Sequence, residues 1–304
     1  MVRTGIGDDC AVLRLGADEE VLVTTDFSIE GVHFRREWHP PDSVGHRCLA
    51  RGLSDIAAMG GDPLAAFLSL ALPAKLPQSW IDEFFDGLLA LARKHKVNLV
   101  GGDIAQSPSG ILADIIVLGS VPCEQAILRS GAKPGDQIFV SGSLGGSAAT
   151  LWRLFEQPKK NLRARDYPEH FHPEPRVAMG KWLRDHRIAS AMIDISDGLS
   201  TDLTHICEES GAGALIDAEL LPIHPRASTR KDRLDLALHG GEDYELLFTA
   251  PLAAHIPSRI ENVSVTRIGE IVQPRRGKPN IELLTYGKRT PLTPRGWEHF
   301  RAKR

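Results

Sequence analysis

The residues with the clearest chemical potential are aspartates. Asp8 and Asp9 follow Gly5-Ile6-Gly7. Asp26 ends the run Val21-Leu-Val-Thr24-Thr25-Asp26, and Asp103 ends Asn98-Leu-Val-Gly101-Gly102-Asp103. Asp194 and Asp197 stand in Asp194-Ile-Ser196-Asp197-Gly198. Ionised carboxylates cost free energy to bury, so they stay at the surface or meet a cation. Their sequence neighbours are glycine, small hydroxyl and apolar residues, so local ion pairing is not the obvious explanation. Magnesium takes oxygen ligands and is commonly held by a few carboxylates together with substrate phosphates. Glycines let backbone N–H groups approach phosphate oxygens closely. Such a set suits metal-assisted chemistry on phosphate. Taken singly, an aspartate after a strand is more often a turn former or helix N-cap, and Asp197 before Gly198-Leu199 fits a cap. As a set they favour metal, because caps do not account for the repeated glycine-and-hydroxyl context. Asp55 differs, lying within Leu53-Ser54-Asp55-Ile56-Ala57-Ala58-Met59. It either faces water or meets a cation, and periodicity leaves both open.

The elements that must position these acids follow from patterning. Residues 21–25 read as a strand, and residues 42–59 carry apolar positions at helical spacing up to Gly60-Gly61. A strand at 64–72, a helix at 80–95, a short strand at 97–100 and a strand at 111–121 continue the alternation, which predicts an α/β or α+β fold. Turn signals between 123 and 136 mark a boundary, giving domains 1–122 and 123–304. Beyond it we expect strands at 137–141, 191–195, 244–249, 264–273 and 281–285. Helices are expected at 147–155, 176–186 and 199–210, with a basic, polar stretch over 157–175. On this reading Asp26, Asp103 and Asp194 end strands. The glycine-rich run 141–147 before a helix suits either a phosphate at the helix N-terminus or an ordinary strand-to-helix turn.

Bulk properties narrow the classes. A length of 304 residues favours two domains. The formal net charge of −3 gives no electrostatic reason to expect nucleic acid or an anionic membrane as partner. No apolar run predicts a membrane span, and no leader pattern is read. The four cysteines are far apart without a Cys-x-x-Cys pair, which suits a reducing cytoplasm rather than a zinc or disulfide framework. A P-loop pattern, a Gly-x-Gly-x-x-Gly in kinase or dinucleotide context, and a serine or cysteine nucleophile motif are all missing.

Taken in order, several segments resemble the thiamine-monophosphate kinase family, within the superfamily that includes aminoimidazole ribonucleotide synthetase. They are Gly5-Ile-Gly-Asp-Asp-Cys10, Thr24-Thr-Asp26, Glu30-Gly-Val-His-Phe34 and Leu53-Ser-Asp-Ile-Ala-Ala-Met-Gly-Gly-Asp62. Further along come Gly101-Gly-Asp103, Arg129-Ser-Gly-Ala-Lys-Pro-Gly-Asp136, Asp194-Ile-Ser-Asp-Gly198, Gly240-Gly-Glu-Asp-Tyr-Glu-Leu246 and Arg295-Gly-Trp-Glu-His-Phe300. The resemblance implies transfer of the terminal phosphoryl of ATP to thiamine monophosphate, with several Mg2+ ions, in a cytoplasmic homodimer joined through the N-terminal sheet, the C-terminal domain completing the active site. It implies metal-holding roles for Asp9, Thr24, Thr25, Asp26, Asp55, Asp103, Asp194 and Asp197. Gly102, Asp103, Arg129 and Ser196 would lie at ATP, and His33, Glu242 and Trp297 at thiamine monophosphate. No protein nucleophile is implied; phosphoryl transfer needs positioning and charge neutralisation.

Each of these residues also has a plainer reading. Arg129 offers a fork suited to phosphate or is a surface arginine in a turn. Trp297 offers a flat face to a cationic ring or is a packing anchor. His33 is a substrate contact or a satisfied half-buried histidine. Glu242 and Asp243 are also turn formers ahead of a strand. Two features depart from the family pattern. The sequence opens almost at Gly-Asp-Asp, where relatives carry a helical segment first. After Asp103 stand Ile104-Ala-Gln106, where threonines and an arginine are common. The alternatives are another ATP-dependent synthetase of the superfamily and a non-catalytic nucleotide-binding regulator.

Overall fold

The alternating strand and helix patterns of the first half resolve, in the computed structural model, into an α/β unit on one mixed sheet. The structure describes residues 2–4, 8–14, 18–158, 162–275 and 280–297. Their contacts divide the chain into two units: residues 1–126 with 153–177, and residues 127–152 with 178–304.

In the first unit the strands are β1 (Val2–Thr4), β2 (Ala11–Arg14), β3 (Glu19–Ile29), β4 (Asp62–Pro73), β5 (Asn98–Ser107) and β6 (Leu112–Pro122), ordered β1-β2-β3-β6-β4-β5. Helix α1 (Pro41–Ala58) links β3 to β4, and α2 (Gln78–His95) makes the crossover between the parallel pair β4 and β5. Period-two alternation sends Leu22, Thr24 and Ser28 of β3 and Ala113, Ile115 and Val117 of β6 inward. Helix α1 lies on those two strands and is buried nearly all round, so a polar side chain on it sits in the interior. Two glycines let the helices touch backbone to backbone. A Cβ on Gly45 would fall 1.8 Å from the Phe84 carbonyl oxygen, and one on Gly87 would fall 1.9 Å from that of Asp42.

Two expectations need correction here. Asp26 does not end its strand, because β3 stays paired with β6 through Ile29. Asp103 lies inside β5, which runs to Ser107 along β4 after a register shift. The glycine pair that reads as a turn is taken into the strand, with Gly102 at φ +150°. The stretch 157–175 is also less open than its composition suggests. It carries α4 (Pro168–Phe171), with His170 and Phe171 buried, and Phe171 packs in a cluster with Leu154 and Tyr167.

The second unit contains strands β7 (Gln137–Ser141), β8 (Ala191–Asp194), β9 (Gly213–Asp217), β10 (Leu246–Ala250), β11 (Arg259–Ile260), β12 (Val263–Val272), β13 (Ile281–Thr285) and β14 (Lys288–Pro291). Their order is β14-β13-β9-β12-β7-β10-β8, with β11 on β12, and only β13 and β9 run parallel. Helices α3 (Gly146–Glu156), α5 (Val177–Asp185), α6 (Leu199–Ser210), α7 (Pro225–Ser228) and α8 (Arg233–His239), with short 3-10 turns at Ala164–Asp166 and Ala218–Leu220, complete the described elements. The core joins Ile138, Val140, Ile193 and Leu247 of the sheet to Leu199, Leu203 and Ile206 of α6. Helix α6 therefore starts close behind the buried end of β8, and this fixes the Asp194–Asp197 segment.

Candidate metal and phosphate site

In the first unit, β3 and α1 bring acids together. Strand alternation turns Thr24 and Thr25 to opposite faces. The hydroxyl of Thr24 donates to Asp55 Oδ2 at 2.5 Å, whereas that of Thr25 donates to Asp114 Oδ1 at 2.8 Å. The second bond lies on the other face of the sheet, so the Thr25 hydroxyl is not part of the acid cluster. Asp9 is buried, and its carboxylate comes within 4.8 Å of the Asp55 carboxylate. Two carboxylates this close repel unless a proton or cation intervenes. With a threonine hydroxyl beside them they form an all-oxygen donor set that fits Mg2+. Asp55 is half-buried and faces Thr24 of β3.

Asp26 has a partner that its sequence neighbours do not reveal: Arg51 Nη1 lies 3.7 Å from Asp26 Oδ1. The expectation that ion pairing is absent holds only locally along the chain. One turn of α1 separates Arg51 from Asp55, so the helix presents a cation and an anion to the same strand. Asp103 is exposed on the edge strand β5, accepts from the Ile104 N–H at 2.9 Å, and does not join the close acids among the described residues. His33 is half-buried, and its Nδ1 accepts the Ile29 N–H at 3.0 Å, so the remaining proton sits on Nε2.

In the second unit, Asp194 is the buried last residue of β8. Asp197 precedes α6, whose N-cap is Gly198 at φ +113°, so Asp197 is not the cap. Another acid serves the helix start. Asp202, buried in the first turn of α6, accepts the Gly198 N–H at 2.9 Å and the Asp197 N–H at 3.2 Å. The sequence signal for it is an acid in the first helical turn, which the macrodipole favours. Two further segments grip the loop. The Glu242 N–H donates to the Ser196 carbonyl at 2.8 Å, and the Trp297 N–H donates to the Asp197 carbonyl at 3.1 Å. The unit thereby brings Ser196, Asp197, Glu242 and Trp297 together. Glu242 holds φ +64°, a left-handed conformation unusual for a side-chain-bearing residue. Arg129 is half-buried, and its carbonyl accepts from Ser210 Oγ at 3.0 Å, which pins its turn to the end of α6.

The run 141–147 has a protein anion at its helix start. Asp243 accepts the Gly145 N–H at 2.7 Å and the Ser147 N–H at 3.4 Å, so a carboxylate stands where a phosphate was one option. Burial pushes the Asp243 carboxyl up to about 7, against the backbone donors that favour its charge. Ser141 donates to Glu245 and its oxygen accepts the Leu246 N–H at 2.8 Å. Of Gly240-Gly-Glu-Asp-Tyr-Glu-Leu246, Asp243 and Glu245 are therefore structural, and Glu242 belongs to the Asp197 loop.

Residues 7–121 match the family model described as AIR synthase related protein, N-terminal domain, and residues 133–282 match its C-terminal domain. The thiamine-monophosphate kinase of Escherichia coli (strain K12) is 38% identical over 309 residues, covering 98% of this chain and 92% of the relative. This chain belongs to the thiamine-monophosphate kinase family. The Salmonella typhimurium (strain LT2) family member is 42% identical over 256 residues, covering 82% of this chain and 77% of the relative. A solved structure of AaThiL complexed with AMPPCP and TMP superposes with a TM-score of 0.84 at 33% identity, covering 97% of this chain and 92% of that one. The two-domain AIR synthase-like fold is thus shared along nearly the whole length.

Proposed function

We propose that this protein phosphorylates thiamine monophosphate with ATP, giving thiamine diphosphate and ADP. The observation that carries the reading is the pairing of Asp9 with Asp55 beside the Thr24 hydroxyl, in a family member whose relatives bear that activity. A phosphate oxygen of thiamine monophosphate attacks the terminal phosphorus of ATP, and the bond from that phosphorus to the β,γ-bridging oxygen breaks. Both reactants are anions, so the protein's task is to align them and offset their charge. Asp9, Thr24, Asp26, Asp55, Asp194 and Asp197 would hold Mg2+ against the phosphates. The ions, when bound, neutralise phosphate charge and orient the transferring group. Arg51 tempers the negative charge at Asp26, while Asp202 keeps the Asp197 backbone in place. Thr25 would take part through its backbone oxygen, because its hydroxyl is bonded to Asp114. Gly102, Asp103, Arg129 and Ser196 serve ATP, and His33, Glu242 and Trp297 serve thiamine monophosphate, as the family resemblance implies.

A homodimer belongs to the same proposal. Phe27, Phe67, Val100 and Ile104 are exposed on the first unit's sheet, and β5 is an open edge strand. No described helix is long and apolar enough to cross a membrane, and cytoplasmic residence is proposed from four mostly buried cysteines that form no disulfide among the described residues.

The test is incubation of purified protein with ATP, MgCl2 and thiamine monophosphate. Thiamine diphosphate and ADP should appear in a one-to-one ratio. ATP binding without product would favour the regulator reading, and product only from another acceptor would favour another synthetase.

A further inference from the structure

The proposed reaction uses Trp297 but not Arg295, two residues before it. In the second unit, Arg295 Nη2 donates to Asp235 Oδ1 at 2.8 Å and stands 2.8 Å from His239 Nε2. On the far side of the ring, His239 Nδ1 lies 2.7 Å from the hydroxyl of buried Ser200. A guanidinium only donates, so His239 Nε2 must accept and the ring proton sits on Nδ1, facing Ser200. Burial and then the Arg295 charge lower the His239 pKa, which keeps this neutral form in place. Asp235 and His239 are one turn apart on α8, so one nitrogen of Arg295, Nη2, is held at two points by one helix.

The segment that Arg295 anchors has little freedom near Asp197. A Cβ on Gly296 would fall 2.1 Å from the Asp197 carbonyl oxygen and 2.4 Å from Thr201 Oγ1, so only glycine allows this approach. The next residue closes the contact through its N–H, yet Trp297 is 50% exposed. The backbone is fixed and the indole is presented to solvent beside the Asp197 loop.

We propose that Arg295 is a positioning residue for thiamine monophosphate: its grip on Asp235 and His239 holds Trp297 ready to receive the substrate's heteroaromatic ring. This rests on the function proposed above. Without the grip, substrate binding must itself order residues 294–297, and that cost falls on substrate affinity rather than on the chemical step. The Arg295 and Asp235 side chains are 57% and 62% exposed, so their pairing adds little to global stability, which separates orientation from folding.

The test compares wild type with Arg295→Ala, Arg295→Lys and Asp235→Asn. In Arg295→Ala the KM for thiamine monophosphate should rise about tenfold, with the KM for ATP and kcat within about twofold of wild type. Arg295→Lys, whose ammonium can donate to both partners but sits on a shorter stem, should fall between the two. Quenching of tryptophan fluorescence by thiamine monophosphate, lost in Trp297→Phe, should shift to about tenfold higher concentration in Arg295→Ala. An unchanged KM for thiamine monophosphate, or a fall in kcat alone, would overturn the proposal. If Arg295→Ala fails to fold, Asp235→Asn decides by the same readouts, with a smaller rise expected. A wild type that makes no thiamine diphosphate would sink the functional reading instead, and the fluorescence titration would still report on the grip.

Discussion

Asp55 is half-buried on α1, accepts from Thr24 and approaches Asp9, an arrangement that no cap or turn explains. Asp55→Asn keeps the shape and removes the charge. We expect kcat to fall at least about 100-fold, as for loss of a preorganised electrostatic group, while circular dichroism stays unchanged. Thr24→Val should lose most activity, whereas Thr25→Val should keep it, because the Thr25 hydroxyl bonds Asp114 on the other face. Equal losses in the two variants would contradict the face assignment. Aspartates in glycine and hydroxyl contexts were legible as a set in the sequence. Arg51 beside Asp26 was not, since the partner comes from another element and only packing joins them. The backbone partners of Asp202 and Asp243 were not legible either, because each acid satisfies N–H groups at a helix start that only the fold brings to it.

At the scale of elements, α1 and α2 touch through Gly45 and Gly87. Gly87→Ala should destabilise the first unit by about 2 kcal/mol or more, read from the urea midpoint, because backbone must move to admit a methyl. The segment around α4 is held on α1 and α2 by titrating groups. His46 Nε2 donates to the Pro173 carbonyl at 2.8 Å, and burial lowers its pKa to about 4. The unfolded chain takes up that proton near pH 6.5 and the folded one resists it, so this contribution is lost as pH falls from about 6.5 to 4. Burial alone would raise Glu174, yet the His95 ring beside it and the Lys94 hydrogen bond bring it down to about 2, so its contribution is lost as pH falls from about 4.5 to 2. Urea midpoints of wild type should therefore drop more steeply between pH 7 and 4.5 than those of His46→Gln. Most strands and helices were readable from periodicity, including α1, α6 and β7. Strand β5 was truncated at Gly101-Gly102, because sheet pairing rather than local propensity carries it onward. The region of α4 was missed because its burial comes largely from Trp38 and Leu154 elsewhere in the unit.

For the whole molecule, the exposed apolar residues of the first sheet and the proposed reaction give two expectations. Ile104, 65% exposed on the edge strand, should become Glu at the expense of self-association, so Ile104→Glu should elute as monomer where wild type elutes as dimer. Two units and a mixed α/β fold were legible from length and alternation. Residues 153–177 grouping with the first unit was not, because the chain leaves that unit and returns to it. The central claim is that these acids serve a magnesium-dependent phosphoryl transfer. Its most direct test is single-turnover formation of thiamine diphosphate from labelled ATP across a Mg2+ titration, in wild type, Asp55→Asn and Asp197→Asn. The account predicts Mg2+-dependent transfer of label in wild type and little or none in either variant at any Mg2+ concentration that wild type needs. Wild-type rates in either variant, or transfer without Mg2+, would contradict it.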